Sequence, residues 1–392
     1  MHIFKKLVSM LKRSRNFGVA LFLGAALVLN AAPIYAQPTL AELRAVLKRD
    51  PDNRQARWAL SRMAYQAQHY EVARYHVMQL LKNSPSQADV NTLSRALAKI
   101  NSEDPWRFRL SFALRPSDNI RRYTYNDRFE TALGIFTPSG AGQEQSGIGS
   151  TIGASLSYRF NLENAAELTV IGRIDHSVFD SGDLNSTRLF LAARHERFSV
   201  GRKTIIEPFL RFRLDHDFAL ERRDVGLNAA VNLFHKGGHQ LRFSSVIENR
   251  SYLDEDALSG PYGRLDLRYD RVLDVKTRLG VGLSVARSLP RGDHLKYWEG
   301  RLSIDASRHF DKIGTLGLFG RYTNRQYDGL FPATDLFRAD GTIAVGVSYQ
   351  PKHIKIFGAR PKLTCQIERN ASNVSLYDYK ANDCGFTFHR SF

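Results

Sequence analysis

From Trp106 to the end of the chain, apolar and polar residues alternate. Trp106, Phe108, Leu110, Phe112 and Leu114 interleave with Arg107, Arg109, Ser111, Ala113 and Arg115, a pattern that sends the two sets to opposite faces of a strand and that no helix reproduces. Similar segments recur. Ile152, Ala154, Leu156, Tyr158 and Phe160 form one such row, Val225, Leu227, Ala229, Val231 and Leu233 another, and Trp298, Gly300, Leu302, Ile304 and Ala306 a third. Strand-like segments near residues 106, 150, 166, 186, 204, 225, 239, 262, 277, 297, 314, 340, 362 and 383 predict an all-β transmembrane barrel of about 14 antiparallel strands over residues 105–392. The last of them alternates Cys384, Phe386, Phe388, Arg390 and Phe392 with small or polar residues and ends on an aromatic. Lipid outside and water inside demand that arrangement. Short links at Leu162-Glu163-Asn164, Lys236-Gly237-Gly238 and Asp311-Lys312-Ile313 fit one rim; longer polar ones, 122–147, 253–261 and 327–337, fit the other rim or the lumen.

Ahead of the strands the period is 3.6 rather than 2. Pro51 and Pro85 stand 34 residues apart, the length of one tetratricopeptide repeat, and the small and apolar positions of such a repeat fall on Leu60, Ser61, Ala64, Tyr70, Ala73, Val77 and Leu80. Leu40, Leu43, Val46 and Leu47 predict a helix before this pair, and Val90, Leu93, Leu97 and Ile100 one after it. One repeat cannot bury its own apolar face, so about four helices packed together are expected in a small all-α, tetratricopeptide-like domain at 37–104. In that register Gln55, Trp58, Arg62, Tyr65 and Gln66 share the concave face, a candidate client-binding surface. A helical hairpin that only braces the barrel is the alternative.

Residues 1–36 read as a signal peptide. Lys5, Lys6, Lys12, Arg13 and Arg15 precede an apolar run from Val19 to Ala32, and Ile34-Tyr35-Ala36 offers a cleavage site. The run is shorter than the roughly 20 residues of a spanning helix. Export changes how the charge is read. The formal charge is +17, of which the leader holds five basic residues and no acid. An exported chain seldom meets nucleic acid, so the remaining excess points to lipopolysaccharide or to a lumen suited to acidic groups. With 24% charged residues and 28 glycines, the chain is too polar for helical spans and ordinary for a barrel with a wet interior.

Two segments carry a family resemblance. Trp106 opens a strand that Pro116-Ser117-Asp118-Asn119-Ile120 closes, and the ending runs from Glu368-Arg369-Asn370-Ala371-Ser372-Asn373-Val374 through Tyr377-Asp378-Tyr379 to Phe392. Together they resemble the surface lipoprotein assembly modifier family, which pairs a periplasmic tetratricopeptide domain with a 14-stranded outer-membrane barrel. The resemblance marks Trp106, Pro116, Asp118, Asn119, Asn370, Ser372, Asn373, Tyr377 and Tyr379. It implies a translocator of the secretion class numbered eleven, moving surface lipoproteins or related secreted proteins outward across the outer membrane of a Gram-negative bacterium. The helical region is shorter than the array such a resemblance predicts, which fits a trimmed branch with a soluble client.

Enzyme chemistry is not expected. Asp175-His176 and Asp215-His216 place acid beside histidine, but neighbours in a strand point to opposite faces and form no dyad with each other. No nucleophile elbow, metal-spaced cluster or phosphate loop occurs, so no cofactor or metal is expected. His235 and His239 read as turn residues. Arg107, Arg109, Arg211, Arg213, Arg242, Arg268, Arg301 and Arg321, with Asp215, Glu248, Asp266, Asp270, Glu299 and Asp305, are assigned to the lumen, where they either pair with one another or offer a weakly binding path for polypeptide. A passive channel for polar or anionic solutes is the competing function. Phe386, Phe388 and Phe392 are the expected assembly signal for the outer-membrane insertion machinery. Cys365 and Cys384 both fall on outward faces of the last two strands, leaving open a disulfide or two lipid-facing thiols. The expected partners are an exported protein client, that machinery, and outer-membrane lipid and lipopolysaccharide, around a monomer.

Overall fold

The computed structural model describes residues 39–126, 128–131, 134–137, 144–235, 237–332, 334–356 and 358–391. The signal segment, Lys236 and Phe392 lie outside them. Four helices come first: α1 (Leu40–Arg49), α2 (Arg54–Gln66), α3 (Tyr70–Lys82) and α4 (Gln87–Glu103). Asn53 caps α2 by accepting from the Ala56 N–H at 3.0 Å, and Ser86 caps α4 through the Asp89 N–H at 3.2 Å. The positions the helical period selected are the buried ones. Leu60, Ala64, Ala73, Val77, Leu80, Val90, Leu93, Leu97 and Ile100 form the helical core, whereas Leu40 and Val46 of the first helix are exposed and only Leu43 is buried there. No described helix is long and apolar enough to cross a membrane.

The strands follow from β1 (Trp106–Ser117). After a short hairpin, β2 (Phe129–Thr131) and β3 (Gly134–Phe136), come β4 (Gly147–Asn161), β5 (Ala166–Phe179), β6 (Ser186–Ser199), β7 (Arg202–Leu214), β8 (Leu220–His235) and β9 (His239–Tyr252). The series ends with β10 (Gly260–Val272), β11 (Thr277–Ser288), β12 (Tyr297–Phe310), β13 (Gly314–Leu330), β14 (Phe337–Pro351), β15 (Lys362–Ser372) and β16 (Tyr379–Ser391). Leaving aside the β2–β3 hairpin, these strands pair antiparallel with their sequence neighbours, and β1 pairs with both β4 and β16 to close a 14-strand barrel. Closure removes the unpaired edges that an open sheet would expose to lipid. The β2–β3 hairpin falls inside a segment expected to be a long polar link.

The barrel is apolar outside and charged inside. Ile152, Leu265, Leu318 and Ile367 project from the wall, with Leu265 66% exposed, while Asp224, Glu248 and Glu299 are buried against the lumen, Asp224 to 1%. That inverts a soluble fold and suits a bilayer. Aromatics gather near the rims: Trp106 packs edge-on against Tyr158, which meets Phe160, and Trp298 lies under the Arg287 guanidinium. The rim carrying the helices has tight turns at 162–165, 200–201, 273–276 and 311–313. The opposite rim has longer links, four of which hold a 3-10 turn, at Gly182–Leu184, Asp256–Leu258, Asp293–Leu295 and Ser375–Tyr377. In the two-residue turn 200–201 the second position has φ +63°, which glycine alone adopts without strain.

The closing seam is irregular. The β1–β16 ladder runs from Arg109↔Ser391 to Leu114↔Phe386, lapses where Pro116 has no N–H to give, and resumes at Ser117↔Asp383. Gly385 lies at the gap. A Cβ there would sit 2.3 Å from the Leu114 carbonyl oxygen, so only glycine lets the strands approach this closely. Outside the gap, Phe112 packs with Phe386 and Phe388 at ring-centroid distances of 5.9 and 5.4 Å, facing lipid. Each aromatic buried in the bilayer contributes roughly 1.5 to 3 kcal/mol.

One pair staples the neighbouring hairpin. Cys365 stands directly opposite Cys384, with Cα atoms 4.1 Å apart, and the structure joins them in a disulfide on the outer face. Thiol labelling of denatured, unreduced protein should therefore find neither cysteine reactive, and both after reduction. Two reactive thiols before reduction would leave β15 and β16 held by their ladder alone.

Candidate functional site

The lumen wall follows from the strand period. Every arginine assigned to the inner face is on it, and the buried carboxylates sit beneath the guanidiniums. Glu248 binds Arg211 and Arg250, Asp270 binds Arg268 and Arg278, and Glu299 binds Arg301 and Arg325, at 2.6 to 3.4 Å. Burying a carboxylate is costly unless charged donors surround it, and two arginines per acid meet that demand. They also leave an excess of positive charge facing the water. Asp215 departs from the expectation: it lies in the β7–β8 turn, not on the wall, where its Oδ1 accepts the Asp217 and Ala219 N–H groups at 2.9 Å each. An Asx-type turn needs its carboxylate locally, which removes it from the lumen.

The marked segments at the two ends of the barrel domain meet in space. Because β1 closes on β16, residues some 260 positions apart become neighbours at the rim away from the helices. Asn119 is 1% exposed; its Nδ2 donates to the carbonyls of Tyr123 (2.8 Å) and Lys380 (3.0 Å), and its Oδ1 accepts the Tyr123 N–H (3.0 Å). Asp118 takes the Asn382 backbone N–H at 2.6 Å and its side-chain amide at 2.5 Å. Arg122 reaches across the seam to Asp383 (2.5 Å) and Glu368 (3.2 Å). The second segment is tied in likewise. Asn370 donates to the Tyr377 carbonyl and accepts from Thr342, Tyr379 donates to Glu368, and Ser372 holds the Val374 N–H. Asn373 bonds the backbone of Phe337 and Ala339, and Tyr377 lies under the Arg338 guanidinium. Trp106 stands apart at the other rim, and Pro116 marks the ladder gap. With those two exceptions, the marked residues form a polar clasp over the closing strands.

At the helical rim a second buried cluster fixes α3 and α4 to the barrel. Arg74 donates to both oxygens of Glu167 at 2.9 and 3.0 Å and also bonds Asn101, whose Nδ2 reaches Glu167 at 2.7 Å and Asn161 at 3.0 Å. Arg159 donates to Glu71 (2.9 Å) and to the Asp104 carbonyl (3.1 Å), with Arg107 3.5 Å from Glu71. Phe198 from β6 completes the apolar core of the helices. Burial raises the Glu71 carboxyl, but Arg107 and Arg159 outweigh it and hold the group below its ordinary range. Sequence patterning does not reveal this cluster. Its one available signal is Asn101, a polar side chain on the stripe of Val90, Leu93 and Leu97.

The five residues assigned to the concave helical face divide. Gln55, Arg62 and Gln66 are exposed, whereas Trp58 and Tyr65 pack against the helical core, Tyr65 also donating to Glu103 at 3.3 Å. The acid and histidine neighbours are committed separately: Asp175 to Arg173 at 2.7 Å, His176 to Thr187 at 2.9 Å, and His216 to Asp217 at 3.2 Å. His239 bonds the Tyr269 hydroxyl.

A closed barrel with an apolar exterior and an arginine-lined interior defines a transmembrane β-barrel of the outer-membrane type. The chain belongs to the surface lipoprotein assembly modifier family, whose model matches residues 106–392. No curated protein matches it. Among solved structures it is similar to the outer membrane channel DcaP of Acinetobacter baumannii, with 8% identity, coverage of 73% of this chain and 96% of that one, and a TM-score of 0.43. It is also similar to a loop-deletion mutant of OmpT, an outer membrane protein of Vibrio cholerae, at 10% identity, 74% and 100% coverage, and a TM-score of 0.39.

Proposed function

We propose that this protein is an outer-membrane translocator that exports surface lipoproteins or related secreted proteins, with its helices in the periplasm. Membership of the family supports the client class. The observation that carries the reading is the docking of α3 and α4 over one mouth of the barrel through the buried Arg74, Asn101 and Glu167 cluster, so that whatever enters at that mouth meets the helices first. A solute channel needs no such fixture. Clients are received at the exposed edge of α2 and passed to a wet lumen whose guanidiniums bind weakly and exchange readily. No nucleotide serves this compartment, so client folding outside supplies the direction. The clasp over β1, β15 and β16 holds the seam shut on the outer side.

Deleting the gene should leave a particular surface protein in the periplasm, and the intact gene should restore its display. Arg62→Ala combined with Gln66→Ala, two exposed positions on α2, should lower that display several-fold while the barrel remains heat-modifiable on gels. Unchanged display from a normally assembled double variant would reduce the helices to a brace. The competing reading, a passive channel for anionic solutes, draws on the basic lumen. A steady, large conductance in planar bilayers together with normal surface display in the deletion strain would favour it.

A further inference from the structure

We propose that the inner faces of β1 and β4 to β7 form a binding track for acidic, extended polypeptide, a specificity that rests on the export reading above. Two lumen cavities lie along this side of the wall. The first, about 460 Å³, sits beneath α3 and is lined by Arg107, Arg109, Arg159, Arg173, Arg194 and Lys203, with Glu167 and Glu196 its carboxylates. Both acids are engaged: Glu167 with Arg74 and Asn101, Glu196 with Lys203 at 2.6 Å. The second cavity, about 640 Å³ toward the clasp, holds Arg115, Arg122, Arg188 and Arg213 against Asp383 alone.

The way these arginines are held leaves their binding ends free. Arg173 meets Asp175 and Arg194 meets Glu207 through Nε, at 2.7 and 2.5 Å, and the two side chains remain about half exposed, at 54% and 40%. A carboxylate gripping Nε from beneath directs the terminal nitrogens into the cavity, where they suit a second carboxylate. Arg109, Arg115 and Arg188 have no salt-bridge partner within 4.0 Å among the described residues. Arg107 and Arg109 are two apart on one strand face, the same repeat at which an extended peptide presents its alternate side chains. The complementary ligand is therefore a strand-like segment with acidic residues at alternate positions.

The test uses the full chain in detergent with fluorescein-labelled poly-glutamate, read by anisotropy. Poly-glutamate should bind and poly-lysine should not, with strong weakening by salt. A triple variant, Arg109→Gln, Arg173→Gln and Arg194→Gln, should bind at least about tenfold more weakly, the scale of one lost charge-assisted contact. Removing the same charge from α1, as Arg44→Gln, Lys48→Gln and Arg49→Gln, should leave affinity unchanged, and heat-modifiability on gels verifies that each variant is folded. Equal binding of both polymers, or an unaffected track variant, would overturn the proposal. So would free glutamate competing as well as the polymer at equal carboxylate concentration, since the site would then take small anions. Failure here with surface display still dependent on the gene would sink the acidic track and leave the export reading standing.

Discussion

Asn119→Ala is expected to destabilise the closed barrel by about 1 to 3 kcal/mol, because it strands two part-buried carbonyls and one part-buried N–H that the buried amide now satisfies. The acceptors at risk are the oxygens of Tyr123 and Lys380, and the donor is the Tyr123 N–H. Lys380 belongs to β16 and Asn119 follows β1, so the loss falls on the seam itself. Asn119→Asp should be worse than alanine, since it turns a donor into an acceptor facing the same two carbonyls. The measurement is the temperature at which the folded band on semi-native gels converts to the unfolded one. A several-degree fall for alanine, a larger one for aspartate, and new protease cleavage within 118–126 are the expected results. An unchanged transition in both variants would show that the Arg122 contacts to Asp383 and Glu368 hold the clasp alone.

The legibility of this protein tracks the distance over which its physics acts. All fourteen barrel strands are readable, because side-chain alternation is local and lipid outside against water inside imposes it on every strand. The same parity assigns Arg211, Arg268 and Arg301 to the lumen. It cannot place Asp215, whose turn geometry competes with the strand period, nor β2 and β3, whose three residues each are too few to show a period. The marked segments around Asn119 and Asn370 are visible as sequence, yet their contact depends on closure of the ring. Arg74 and Glu167 are further from reach: 93 residues apart, on a helix and a strand, they become partners only when the helices settle on the rim. A cation on a helix looks like a solvated face until its acid arrives.

That partnership yields the second large effect. Glu167→Ala should release the helices from the barrel, because it leaves the Arg74 guanidinium, whose side chain is 13% exposed, buried without its counter-charge. Breaking one partner of such a pair costs about 3 to 5 kcal/mol, enough to outweigh the remaining rim contacts. Arg74→Ala should do less harm, since the Asn101 amide at 2.7 Å and the Thr169 hydroxyl at 3.2 Å still donate to Glu167. Trypsin should cut the Glu167→Ala protein within the released helices, after Lys82 or Lys99, while the barrel stays folded, and surface display should fall with it. Acid is expected to mimic part of this release through Glu71. Its carboxyl lies below the ordinary value of 4.5 in the docked state, so its contribution is complete above that pH and fades as pH falls through the lowered value. Protection of the α3 amides, measured against the intrinsic exchange rate at each pH, should accordingly hold at neutral pH and fall only below about pH 4.5, and Glu71→Gln should abolish that acid sensitivity. Protection that falls equally in the unaltered protein and in Glu71→Gln would assign the acid response to another carboxylate, and a Glu167→Ala protein that resists trypsin would mean that Phe198 and the apolar contacts around it suffice to seat the helices.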